Sequence, residues 1–192
     1  MAVKRRWTHI ALLALFFLTG CGFHLQGSLI IPPALKTLYL TSNDPYGQFS
    51  QQFRQSLRSA NVNLVNSPDH APYTLAILSS GQTVQQVGTG QSQQTRSYNL
   101  IYTVSYSLQT SQGATIFGPS TVIATENFSL PPEVLVDNSP QLPALRQQAE
   151  MSAMQHILDQ LNSENVQEAI KQHSASTNDE NQSNTTQQPS RQ

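Results

Sequence analysis

Cys21 is the only cysteine in the chain, and it lies in the segment Leu18-Thr19-Gly20-Cys21-Gly22. A lone thiol cannot close an internal disulfide, so its chemistry is that of a nucleophile or of a small buried side chain. The residues before it decide between these. Lys4, Arg5 and Arg6 come first, then an unbroken apolar run over residues 10–18, then the small residues Thr19 and Gly20. Basic, apolar and small regions in that order have the layout of an export signal. The run is far shorter than the roughly 20 apolar residues a helix needs to span a bilayer. Residues 1–20 are therefore expected to be a signal peptide that is removed, not an anchor.

Leu-Thr-Gly-Cys closely resembles a bacterial lipobox, in which the cysteine after a small residue takes a diacylglycerol thioether and becomes an acylated N-terminus. Small side chains at Thr19 and Gly20 suit a peptidase closing on the bond before Cys21, and the thiolate supplies the nucleophile. The resemblance implies a covalent S-diacylglycerol and N-acyl lipid at Cys21, and no other cofactor. A secretory signal with an incidental cysteine is the alternative reading of the same residues. Each buried methylene contributes roughly 0.8 kcal/mol and one acyl chain binds only marginally, so a triacylated Cys21 would hold the protein on a membrane permanently.

The other residue types that could do chemistry do not assemble. His24, His70, His156 and His173 are scattered singly, with no neighbouring ligand at helical or hairpin spacing, so no metal site is expected. There is no GxSxG, no HExxH and no Walker lysine. Gly88-Thr89-Gly90 lies between two strand patterns with no helix to follow, which makes it a hairpin tip and not a phosphate loop. Asp179-Glu180 falls in a polar tail and cannot form a preorganised carboxylate pair. No catalytic residues are expected, and the chain is read as a non-enzyme. Removal of residues 1–20 leaves seven Lys/Arg against eleven Asp/Glu, a balance of −4. That lacks the basic footprint of nucleic-acid binding.

Stepping outward to the elements, residues 34–41 read as a first strand entered from Pro32-Pro33. Asn43-Asp44-Pro45 predicts a helix start, with Asp44 as N-cap and Pro45 at the first helical position. Tyr46, Phe49, Phe53, Leu57 and Ala60 form its apolar face, and Asn61 suits a left-handed stop. Tyr73, Leu75 and Ile77 begin a strand that Val84 and Val87 continue. In the next one Tyr98, Leu100, Tyr102, Val104, Tyr106 and Leu108 take every second position, with polar residues and Ile101 between them. Alternation resumes through Val122, Ala124, Glu126, Phe128 and Leu130. Ser139-Pro140 predicts a second helix, with Leu145, Ala149, Ala153, Ile157 and Leu161 along one stripe.

The expected fold class is α+β: two helices packed on one face of a four-stranded, mainly antiparallel sheet, in the order strand-helix-strand-strand-strand-helix. Residues 21–170 form one domain. Residues 171–192 hold no large apolar side chain beyond the domain and are expected to be a disordered polar tail. The uncovered sheet face would carry Ser, Thr, Asn and Gln.

The opening Cys21-Gly22-Phe23-His24-Leu25-Gln26-Gly27, the stretch Thr41-Ser42-Asn43-Asp44-Pro45-Tyr46-Gly47 and the strand from Tyr98 to Val104 together resemble the LptE (RlpB) family of LPS-assembly lipoproteins, over about residues 21–165. The resemblance implies the same element order, a seat inside the lumen of the outer-membrane barrel LptD, contact with lipopolysaccharide, and an outer-membrane address. Gly22 fits that address, since the family-level sorting rule reserves an aspartate after the cysteine for inner-membrane retention. Barrel lumens are polar, so the resemblance makes Thr103, Ser105 and Asn127, with Ser107, Thr121 and Thr125, the expected partner-facing residues. Lipopolysaccharide phosphates call for a cation. Residues 88–95 and 133–138 hold none, which leaves Arg96 as the candidate contact. An auxiliary lipid-binding lipoprotein of another envelope transporter is the alternative function. A cell-wall hydrolase is disfavoured by the missing catalytic set.

Overall fold

The computed structural model describes residues 31–89 and 95–185; Cys21, the residues before it and the 22–27 motif lie outside them. Its strands are β1 (Thr37–Ser42), β2 (Asn63–Val65), β3 (Tyr73–Thr89), β4 (Arg96–Thr110) and β5 (Thr115–Leu130). Its helices are α1 (Gln48–Ser59), α2 (Leu142–Leu161) and α3 (Glu164–Thr185). The strands form a single sheet in the order β2-β1-β3-β4-β5. The expected α+β architecture is therefore present with two corrections. Among the described residues the sheet has five strands and is mixed, and there are three α-helices.

The mixed character follows from α1. A strand, a helix and a returning strand make a crossover, so β2 runs parallel to β1, and β1 runs parallel to β3 as well. The remaining pairs, β3 with β4 and β4 with β5, are antiparallel. Only three residues long, none of them buried, β2 offers no alternation to read.

Both expected helix starts need correction. Residues Asp44-Pro45-Tyr46-Gly47 form a tight turn closed by the Gly47 N–H donating to the Asp44 carbonyl at 3.3 Å. Asp first, Pro second and Gly fourth suit a type I turn as well as they suit a helix start. The N-cap of α1 is Gly47, without a side-chain cap. A Cβ at Gly47 would meet the Asp44 carboxylate, so a larger residue here would displace that side chain. Tyr46 leaves the apolar face and is 86% exposed. Two α1 side chains brace the turn: Gln51 Nε2 donates to the Tyr46 carbonyl and Arg54 to the Pro45 carbonyl, both at 2.7 Å. At α2, Ser139 and Pro140 likewise sit in a turn. Ser139 Oγ accepts from the Gln141 N–H at 3.3 Å, and the helix begins at Leu142 with Pro143 in its first turn.

The stop of α1 is as expected. Asn61 adopts φ 60°, the Val62 N–H reaches back to the Leu57 carbonyl at 3.0 Å, and the Asn61 N–H reaches Arg58 at 3.0 Å. These bonds, with Val62 buried, make a Schellman motif. Helix α3 buries Val166 and Ile170 and then continues through the polar sequence to Thr185. Packing of its first turns provides the nucleus from which a polar segment can propagate as helix.

The core lies between the helices and one face of the sheet. Phe49, Phe53 and Leu57 of α1, and Ala149, Ala153, Ile157 and Leu161 of α2, meet Leu38, Leu75, Ile77, Leu100, Val104 and Tyr106. Phe49 packs its ring 5.7 Å from those of Phe53 and Tyr102. The alternation of β4 is borne out: every even residue from Tyr98 to Thr110 is buried. Leu78 is the extra residue of a bulge between Ile77 and Ser79, and is 41% exposed.

Candidate functional site: the open sheet face

Because side chains alternate, the odd residues 97–105 of β4 and 121–129 of β5 point away from the helices. Register brings them together: Ser97 opposite Ser129, Asn99 opposite Asn127, Ile101 opposite Thr125, Thr103 opposite Ile123 and Ser105 opposite Thr121. On the other side of β4, Gly81 lies opposite Thr103 and Thr83 opposite Ile101. The result is an uncharged patch of hydroxyl and amide groups with Ile101 and Ile123 among them, about 25 Å along the strands. Ser105 Oγ and Thr121 Oγ1 hydrogen-bond across it at 3.0 Å, and Ser97 and Ser129 at 3.5 Å. Thr121, Thr125, Asn127 and Ser129 are exposed, Thr103 and Ser105 half-buried.

Thr103, Ser105 and Asn127 thus share one surface. Ser107 has the same orientation but is buried and accepts from Gln109 Nε2 at 3.1 Å. Arg96 does not join them. As the first residue of β4, opposite Thr89 and Leu130, it has the parity of the helix-facing set and is exposed at the strand's end. Sequence reasoning singled out Ile101 on this face but missed Ile123, which is 57% exposed among the threonines. Its odd position in β5 was the available signal.

The opposite face carries polar groups used to fix α2. Tyr106 donates to Gln160 Oε1 at 2.5 Å and Ser120 donates to the same atom at 3.1 Å. Gln148 Nε2 donates to Glu126 at 2.9 Å, and Arg146 Nε to Gln82 Oε1 at 2.5 Å. Burial pushes the Tyr106 hydroxyl up to about 12. Burial, then the nearby Glu150 carboxylate, does the same to Tyr102, also to about 12. Glu150 itself is raised by burial, partly offset by Arg146. Such tyrosines keep their protons across the neutral range and serve as donors, not as acid–base catalysts.

Among the described residues no three His, Cys, Asp or Glu side chains cluster as metal ligands. His70 and His156 are each exposed. An open groove of about 590 Å³ separates α1 from α2, lined by Gln52, Gln55, Gln147, Met151 and Gln155 among others. What the open sheet face can do is exchange hydrogen bonds with a polar surface, since every hydroxyl and amide on it both donates and accepts.

The model of the family described as "LptE: Lipopolysaccharide-assembly" matches residues 35–172. The LPS-assembly lipoprotein LptE of Pectobacterium atrosepticum is 30% identical over 174 residues, 90% of this chain and 94% of the relative. Among solved structures, lipoprotein B from Nitrosomonas europaea superposes with a TM-score of 0.58 at 16% identity, covering 71% of this chain and 88% of that one. Rare lipoprotein B from Shewanella oneidensis does so with a TM-score of 0.57 at 20% identity, over 68% and 97%. At these identities the structures speak for the fold. The family match and the near full-length relative speak for descent, and the chain belongs to the LptE family.

Proposed function

We propose that this chain is a non-enzymatic outer-membrane lipoprotein that seats its open sheet face inside the LptD barrel and assists delivery of lipopolysaccharide to the outer leaflet. The observation that carries the reading is the uncharged face of Thr103, Ser105, Thr121, Thr125 and Asn127 on a sheet whose other side is covered by helices. A barrel lumen is lined by polar side chains. A plug surface that hydrogen-bonds to it needs hydroxyls and amides, and a broad greasy patch there would aggregate before assembly. Lipid on Cys21 provides the membrane anchor, and Arg96, exposed at the end of β4, is the cation assigned to a lipopolysaccharide phosphate.

Photo-crosslinking residues introduced at Thr103 or Asn127 should capture a single large outer-membrane barrel protein. The same probe at Ser183 should capture little. Capture of lipid alone from the sheet face, with the barrel present, would overturn the plug reading in favour of a lipid carrier.

A further inference from the structure

Beneath α2 lies one polar group that the contacts described above do not use. Glu150 is 4% exposed, and its Oε2 atom has no hydrogen-bond partner among the described residues. Two neighbouring polar groups have other partners: Arg146 Nε donates to Gln82 and Gln148 Nε2 to Glu126. Ala149 and Ala153, both fully buried, bring the helix backbone close to the sheet at this level. An ionised carboxylate in such a place loses its hydration with incomplete replacement, whereas a neutral carboxylic acid loses far less.

We propose that Glu150 makes the packing of α2 on the sheet a pH-sensitive latch, closed while the buried carboxyl is neutral and loosened when it ionises. The charged and titratable groups around it are few. Arg146 of α2 favours the ionised form, Tyr102 of β4 is neutral, and Glu126 of β5 is engaged by Gln148. β3 contributes the uncharged Ser80 and Gln82, and α1 contributes Phe49 beside Tyr102.

The direction follows from linkage. Burial raises Glu150 from its ordinary value of 4.5, so between that value and the raised one the folded chain binds more protons than the unfolded chain. Stability must fall as pH rises through this window and stay lowered above it.

Thermal unfolding of the full chain and of Glu150→Gln from pH 4.5 to pH 8.5 tests the latch. The two should melt alike at the acid end, and wild type should melt lower by about 3 °C or more at the alkaline end. Parallel profiles across the range would overturn it. Should the variant fail to fold, the wild-type chain decides by carboxyl carbon resonance and amide exchange. Glu150 should titrate above the other glutamates, and exchange in α2 should accelerate with pH beyond that in α1. A Glu150 carbon titrating with the rest, or equal acceleration in both helices, would overturn the proposal.

Discussion

The two faces of β4 differ in everything except their backbone. On the helix side Leu100, Val104 and Tyr106 are wholly buried. One residue away in sequence, Thr103 and Ser105 stand on the open side beside exposed threonines of β5. The same run of residues therefore specifies a core and an open polar surface at once, because a strand delivers successive side chains to opposite environments. Register protects both. A slip of one residue would bury the hydroxyls and expose the leucines, so the aromatic and aliphatic set that holds the domain together also keeps its outward face polar.

Substitutions on the two faces should expose that division. Leu100→Asp is expected to unfold the domain, since a carboxylate at a fully buried site lacks any partner, a loss on the order of 4 kcal/mol or more. Ser105→Asp should stay within about 0.5 kcal/mol of wild type, as surface changes do. Urea unfolding of the pair measures both, and the reverse ranking would invert the assigned register.

An intermediate effect is expected where polar groups serve the core. Gln160→Ala removes the acceptor shared by Tyr106 and Ser120 and should cost about 1–3 kcal/mol. The same denaturation curves read it, and no measurable change would mean that this pair of bonds does not fix α2. The smallest effect belongs to the end of α3. Truncation after Lys171 keeps the buried Val166 and Ile170, so the melting temperature should move by less than about 3 °C. A larger fall would show that the polar turns of α3 pack on the domain.

How far the sequence announces all this depends on how local the signal is. Strand β4, and β5 from Thr121 onward, declare themselves by alternation, and from it the outward Thr103, Ser105 and Asn127 follow without tertiary information, whereas the bulge at Leu78 breaks the pattern of β3. The start of α1 does not declare itself, because Asp-Pro-Tyr-Gly satisfies a β-turn and a helix cap with the same residue types. The short strand β2 exists only by pairing with β1, a contact made across α1. Glu150 is likewise invisible from its neighbours. A glutamate on a helix is ordinarily solvated, and only the approach of α2 to the sheet buries this one. Helix α3 escapes notice because its anchoring apolar residues are few.

The sheet's topology also sets an order of assembly. β4 and β5 are joined by residues 111–114, and β3 and β4 by residues 90–95, so each pair closes a short loop. β1 meets β3 only after residues 43–72 have been gathered between them. Closing the longer loop demands more entropy before any contact rewards it. The antiparallel half is thus kinetically local and the parallel half kinetically remote. By this ordering the open polar face takes shape early, while the β1–α1–β2 unit completes the domain.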